Sequence, residues 1–462
     1  MANYKLIDRG STPAARSSEM DLFSLPPTQV TVHNSFYEPL RLDNASTNEG
    51  PWQFTCPSAP VYTQLSDNFL QFELRIVKAN GEAITNQTVG AEPVQLTPVG
   101  SIDCLGKTFF QQVKGYVNNQ LVQDSGELYA YQALLETVLN YGESARRTHL
   151  ATALYSGRDR GPDTEPGEID HVNNVGWKER ADKFTRSEWV QMYSRLHGSL
   201  FSSERLLPSQ CSVHLELHRN SDLFCITHFR TSNAAATNFK IEVRNFIWWV
   251  RRVQLINSQH MAIERQLNLE PMLYPIRRAR LTKQHINAGQ RETPSVHISV
   301  GQLPRRVLFG FIASDAYYGV YGKSPFNFVN AQVEQVQIVA GDRLYPREPI
   351  ECDFTTEHTV NKYSAPYHAL LRMAGGGPTN PNSDTELTSM DFKHGKTLWA
   401  VNLAPVEEDG MHFELIRSGH VFIRVRFGAD VPDGGLEMVV YSELDSVYRI
   451  DRFRNIRFDY AA

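Results

Sequence analysis

VFIRVRFG (residues 421–428), ADVPDGG (429–435) and LEMVVYSEL (436–444) decide the fold class. Val421, Ile423, Val425 and Phe427 alternate with Phe422, Arg424 and Arg426. Alternation with a period of two places the two sets on opposite faces of a β-strand. Pro432-Asp433-Gly434-Gly435 marks a turn, because Pro fixes φ and Gly frees it. Leu436, Met438 and Val440 resume the alternation. The segment therefore predicts a long closing hairpin whose final edge lies inside a sheet.

The first half of the chain ends on a comparable pattern. Val213, Leu215 and Leu217 alternate with His214, Glu216 and His218. Residues 239–256 then give one very long strand signal. Ile241, Val243, Ile247 and Trp249 fall on one side of it, while Phe246, Trp248 and Val250 make its middle apolar on both faces. A strand apolar on both faces is buried on both, so this stretch predicts a seam between two domains.

The bulk numbers fit two closures. At 462 residues the chain is too long for one hydrophobic core. Its hydrophobic content of 41% and aromatic content of 11% describe packed domains rather than disorder. A net charge of -5 excludes a chain-wide basic footprint for nucleic acid. Cys56, Cys104, Cys211, Cys225 and Cys352 are odd in number and lack CxxC spacing. That pattern predicts buried, reduced thiols and an intracellular folding site. The N-terminus reads as no signal peptide, and no run approaches 18 apolar residues, so no membrane-spanning segment is expected.

Residues 1–25 read as an N-terminal arm, 26–258 as a first sandwich, 259–273 as a connection with helical character, and 274–462 as a second sandwich. Leu70, Phe72, Leu74 and Ile76 form one strand face, followed by a turn at Asn80-Gly81. Asn118-Asn119 breaks residues 113–122 into a hairpin. Asp124 and Glu127 have capping-box spacing. Tyr131, Leu134, Leu135, Val138 and Leu139 follow as an amphipathic helix, with Gly142 at its C′ position. Residues 156–172 and 375–384 are polar loops. Further strands are expected at 296–300, 307–312, 333–339 and 397–403. The fold class is all-β: two consecutive eight-stranded jelly-roll sandwiches, a double jelly roll, with a few short helices in the inter-strand loops.

Catalytic motifs fail on their own terms. Gly395-Lys396-Thr397 lacks the upstream P-loop glycine, since Met390 stands there. GxSxG, HExxH and the HxH pair of an enzymatic cupin are absent. His214 and His218 lie about 13 Å apart along a strand, too far for one metal. Glu407-Glu408 fall in a polar turn. No catalytic, metal or cofactor site is expected. Arg277, Arg278, Arg280 and Lys283 form one basic cluster. Arg449, Arg452, Arg454 and Arg457, interleaved with Tyr448, Phe453 and Phe458, form another. These clusters read as salt-bridged sheet edges or subunit contacts, with non-specific contact to nucleic acid as the alternative. Tyr317, Tyr318, Tyr321 and Phe326 sit in a Gly-punctuated stretch and are candidates for a subunit contact.

Six segments carry a family resemblance: SSEMDLFSLPPTQ (17–29), YQALLETVLNYGESAR (131–146), WVQMYSRLHGSLFSSERLLP (189–208), YPIRRARL (274–281), GQLPRRVLFGFIASDAYYGVYGKSPFNF (301–328) and YRIDRFRNIRFDY (448–460). In this order they resemble the double jelly-roll major capsid proteins of Polinton/Maverick elements and adintoviruses. The resemblance covers most of the chain and implies a structural protein, not an enzyme. It implies a homotrimer that forms pseudo-hexameric capsomers and an icosahedral shell around double-stranded DNA. The implied partners are further copies of the chain, neighbouring capsomers, and minor capsid and penton proteins. The implied location is the virion, after assembly inside a host cell, with the nucleus a candidate compartment. A jelly-roll surface protein that binds glycan or receptor is the alternative.

Overall fold

Antiparallel strands dominate the computed structural model, which describes residues 28–44, 47–84, 99–159, 174–228, 239–294, 297–354, 362–374, 385, 387–405 and 413–459. The expected N-terminal arm (1–25), the loop 375–384, Glu407-Glu408 and most of the loop 156–172 lie outside the described residues.

The first half contributes β1 (Val32–Arg41), β2 (Trp52–Cys56), β3 (Tyr62–Lys78), β4 (Phe110–Val117), β5 (Gln120–Asp124), β6 (Val190–Ser194), β7 (Val213–Arg219) and β8 (Phe239–Leu255). They form two sheets, in the orders β1-β8-β3-β6 and β2-β7-β4-β5. The second half contributes β9 (Met272–Ile286), β10 (Ser299–Gln302), β11 (Arg306–Ala313), β12 (Val333–Ala340), β13 (Arg343–Glu351), β14 (Leu398–Asn402), β15 (Ser418–Phe427) and β16 (Leu436–Ile450). Their orders are β9-β16-β11-β14 and β10-β15-β12-β13, and β17 (Ile456–Phe458) adds to β16. Adding eight to each strand number of the first half gives the second half. The chain is a double jelly roll.

That topology corrects the closing hairpin. β15 pairs with β10 and β12, whereas β16 pairs with β9 and β11. The two strands face each other across the sandwich, and residues 428–435 cross from one sheet to the other. β7 and β8 are divided between the two sheets in the same way. The alternation itself holds: Val421, Ile423, Val425 and Phe427 are all buried.

The seam expected along β8 is also corrected. Asn245 has φ 56°, and the pairing of β8 with β3 shifts between Arg244 and Ile247. A β-bulge inserts one residue and reverses the side-chain parity beyond it. Phe246, Trp248 and Val250 therefore join Ile241 and Val243 inside the sandwich, while Ile247 and Trp249 stand on the outer face, partly exposed. Inside, Trp52, Phe72, Phe109, Phe110 and Phe246 pack ring on ring. Phe309, Phe311, Phe427 and Trp399 do the same in the second sandwich. Each such ring buried stabilises the fold by about 1.5–3 kcal/mol.

Four helices matter below: α1 (Tyr129–Asn140), α2 (Val175–Lys183), α3 (Asn257–Leu269) and α4 (Ser364–Met373). α1 begins later than the capping-box reading places it. Asp124 ends β5 and accepts a hydrogen bond from Gly126 N, a 3-10 turn follows, and no side chain caps α1. Its C-terminus also differs, because Tyr141 is extended and Gly142 has negative φ. Ten of its twelve residues are buried, so it is not amphipathic against solvent.

Successive strands run antiparallel, so their connections alternate between two ends of the molecule. One end is where the chain leaves β3, β5, β11 and β13 for its long connections. The other carries the short turns 57–61, 118–119, 303–305 and 341–342, together with α3 and the turn after β16. At 118–119 both Asn residues have positive φ, as a two-residue hairpin turn demands.

Candidate assembly surfaces

Burial of α1 on nearly all sides has a simple cause: it lies between the two jelly rolls. Its Tyr131 ring stacks on Tyr317 of the second jelly roll, with centroids 5.6 Å apart and planes 7° apart. The Tyr131 hydroxyl donates to Pro325 O at 3.2 Å, and Phe326 and Phe224 meet the ring edge-on. Tyr321 accepts a hydrogen bond from Phe239 N at 3.2 Å. Lys283 Nζ sits 4.7 Å over the Tyr317 ring and 5.1 Å over Tyr318. Tyr317, Tyr321 and Phe326 are thus engaged within one chain. Tyr318, 64% exposed, is the member of the group that faces outward.

Further along, α1 crosses the outer face of the second jelly roll. The Tyr441 hydroxyl on β16 hydrogen-bonds Glu136, and burial, then the Glu136 charge, push its pKa well up. Thr385 Oγ1 donates to Val138 O at 3.0 Å. Leu134, Leu135 and Val138 line a small cavity together with Phe326, Phe328 and Leu398. Beside them runs a buried polar chain. Glu136 meets His197 Nδ1 at 2.7 Å, His197 Nε2 meets Lys107 Nζ at 2.9 Å, and Lys107 donates to Thr137 at 3.1 Å. Burial lowers the pKa of both Lys107 and His197, and the neighbouring Lys107 charge depresses His197 further. On α2, Arg180 is buried between Asp159 at 2.6 Å and Asp103 at 3.4 Å. Aspartates on both sides raise its pKa against the effect of burial.

At the short-turn end the C-terminal arginines divide. Arg454 is a clasp: its guanidinium pairs with Glu264 of α3 at 2.6 Å and donates to Ser209 O at 3.0 Å. Its own carbonyl accepts from Asn118 Nδ2 at 2.8 Å. One residue thus ties two turns of the first jelly roll to the last turn of the second. Tyr274 adds a bond to Leu206 O at 2.8 Å. Arg449 and Arg457 stand directly opposite each other on β16 and β17, both exposed. Arg452 is exposed and lies 4.7 Å over the Phe453 ring. Asp451 and Asp459 beside them accept backbone hydrogen bonds that shape the turn. In the other cluster, Arg277 lies 3.8 Å from Asp445. Sequence reasoning missed the Arg454 clasp, because Glu264 is 190 residues away.

The described residues contain no cluster of three or more His, Cys, Asp or Glu able to hold a metal, and no helix long and apolar enough to cross a membrane. His214 bonds Thr55 at 3.1 Å and His218 bonds Glu216 at 2.7 Å. All five cysteines are free and buried, and burial pushes the Cys56 and Cys104 thiols up to about 12.

No family model matches the chain. An uncharacterised protein of Caenorhabditis elegans is 27% identical over 435 residues, covering 93% of this chain and 98% of its own length. Among solved structures, a chain from the cryo-EM structure of the Sputnik virophage is similar with TM-score 0.61 and 13% identity, over 98% of this chain and 94% of that one. The Faustovirus major capsid protein is similar with TM-score 0.54 and 10% identity, over 92% of each chain. The mavirus major capsid protein is similar with TM-score 0.51 and 9% identity, over 97% of this chain and 95% of that one. These likenesses span both jelly rolls.

Proposed function

We propose that this chain is the major capsid (hexon) protein of an icosahedral double-stranded DNA virus or virus-derived element, of the Polinton/Maverick and adintovirus type. The observation that carries the reading is the repeat of strand order, strand for strand, between the two halves. Two equivalent sandwiches per chain let three chains fill six positions of a ring through head-to-tail contacts. The work done is geometric: a closed capsomer with a flat, sixfold-like outline that tiles a shell. The capsid neighbours in structure space support it, as does the order of the six resembling segments.

On this reading residues 26–258 and 274–462 are the two modules, joined through 259–273, and the arm 1–25 is available to tie neighbours. The chain's partners are its own copies, neighbouring capsomers, and minor capsid and penton proteins. Its place is the virion, following assembly in the host cell, with the nucleus a candidate compartment. Tyr318 contributes to a subunit contact. Exposed Arg449, Arg452 and Arg457 give a weakly basic surface for non-specific contact with packaged DNA. Counterion release makes such contact salt-dependent, so duplex binding unchanged between low and moderate salt contradicts the DNA contact. Electron micrographs of the purified protein test the main reading. Hexagon-outlined particles or closed shells are expected. Dispersed monomers retained on a sugar resin favour a glycan-binding surface protein instead.

A further inference from the structure

The junction inside the chain has an unfilled counterpart on each jelly roll. In the second jelly roll the outer face of β9-β16-β11-β14 is covered. Leu308, Ile312, Val439 and Leu398 are buried there, Leu398 lines a cavity with Leu134, Leu135 and Val138 of α1, and Tyr441 hydrogen-bonds Glu136 of α1. In the first jelly roll the same face, β1-β8-β3-β6, is open among the described residues and is aromatic. Register places Trp249 opposite Phe69, and Gln71 opposite Tyr193, all on the outer side. Phe69 stacks on Tyr193 with centroids 4.9 Å apart, and Tyr37 lies 6.3 Å from Phe69. Tyr37 and Tyr193 are 46% and 37% exposed. The ion pairs Arg251–Asp67 and Arg244–Glu73 border the strip. A sheet face turned to water is expected to be polar. An aromatic strip bordered by paired charges has the composition of an interface core and rim.

The second jelly roll holds the other half. α1 lies between β5 and β6, and its topological equivalent between β13 and β14 is α4. Only Pro366 and Leu370 of α4 are fully buried. Ala365, His368 and Arg372 lie exposed along one side at helical spacing. A helix that is enclosed in one module keeps Ala365 and His368 exposed in its equivalent.

We propose that α4 of one copy lies across the Tyr37–Phe69–Tyr193–Trp249 strip of the next copy, as α1 lies across the β16 face within the chain. The inference rests on the ring-forming reading above and names the surfaces that close the ring. The two surfaces differ, so the contact is head-to-tail, and repeating it closes a ring.

Two variants test it: Tyr37→Glu/Tyr193→Glu on the strip and Ala365→Glu/His368→Glu on α4. Solution mass is measured for wild type, each variant and their equimolar mixture. A cooperative thermal transition checks that each variant is folded. Wild type is expected as a trimer and each variant alone as a monomer, a threefold fall in mass. The mixture retains one intact helix and one intact strip, so it is expected to stop at a dimer. If the strip variant loses its cooperative transition, the α4 variant, changed only on exposed positions, decides alone. Folded variants that remain trimeric overturn the inference and leave the ring-forming reading standing. A monomeric wild type overturns the ring-forming reading itself.

Discussion

Arg454 shows how much one side chain carries at the short-turn end. It is 11% exposed, its partner Glu264 is 32% exposed, and both its guanidinium and its carbonyl reach the other jelly roll or α3. Arg454→Ala leaves Ser209 O and Glu264 without that donor. It is expected to destabilise the protein by about 1–3 kcal/mol, read from the denaturant midpoint. An unchanged midpoint shows that the clasp contributes nothing. His197 gives a pH-dependent counterpart. Its folded pKa lies below its ordinary value of about 6.5, through burial and then Lys107. Glu136, on the other side, is bonded to it, and its own pKa is lowered because the hydrogen bonds from His197 and Gln132 and the His197 and Lys107 charges together outweigh burial. Below pH 6.5 the unfolded chain binds a proton that the folded chain resists. Stability is therefore full above that pH and falls as pH drops toward the folded pKa. A denaturant midpoint that declines from pH 7.5 to 5.5 is expected in wild type. His197→Gln is expected to flatten that decline, and an equal slope in both rules His197 out as its source.

At the scale of elements, the β8 bulge decides which way the aromatic residues face. Deleting Asn245 removes the extra residue, keeps Arg244 opposite Glu73 and brings Phe246 opposite Phe72, so Phe246, Trp248 and Val250 still face inward. Soluble, folded protein is expected from the deletion, and Asn245→Gly, which accepts positive φ, is expected to stay within about 1 kcal/mol of wild type. A deletion variant that loses its cooperative transition and aggregates contradicts the bulge. This element marks where sequence reading succeeds and where it stops. Alternation in β3, β7 and β15 and the turns at Asn80-Gly81 and Asn118-Asn119 are local, and local patterns are legible. The bulge is invisible to a count of twos, because one extra residue leaves no compositional mark. Pairing is likewise non-local. β15 and β16 read as a hairpin because a short turn joins them, yet the jelly roll sends each to a different sheet. β9 and β13 went unread as strands, since their basic or proline-broken outer faces hide the alternation. Among site residues, the tyrosine and arginine clusters stood out in the sequence. Their division into intrachain junction and exposed surface depends on partners distant in sequence, such as Tyr131 for Tyr317 and Glu264 for Arg454.

For the whole molecule, the central fact is that one jelly-roll topology occurs twice in the same strand order. The two copies meet at both ends: through α1 and the Tyr131 cluster where the connections are long, and through Arg454 and Tyr274 where they are short. That makes the chain a fixed pair of units, and a fixed pair is what a ring of three chains requires. The aromatic strip and the exposed side of α4, both among the described residues, lie on different jelly rolls, as head-to-tail closure demands. The most direct test is the mass of the purified protein at micromolar concentration by sedimentation or light scattering. One chain is 52.5 kDa. The account predicts a single trimer, three times that mass, with no monomer. A stable species at 52.5 kDa contradicts it.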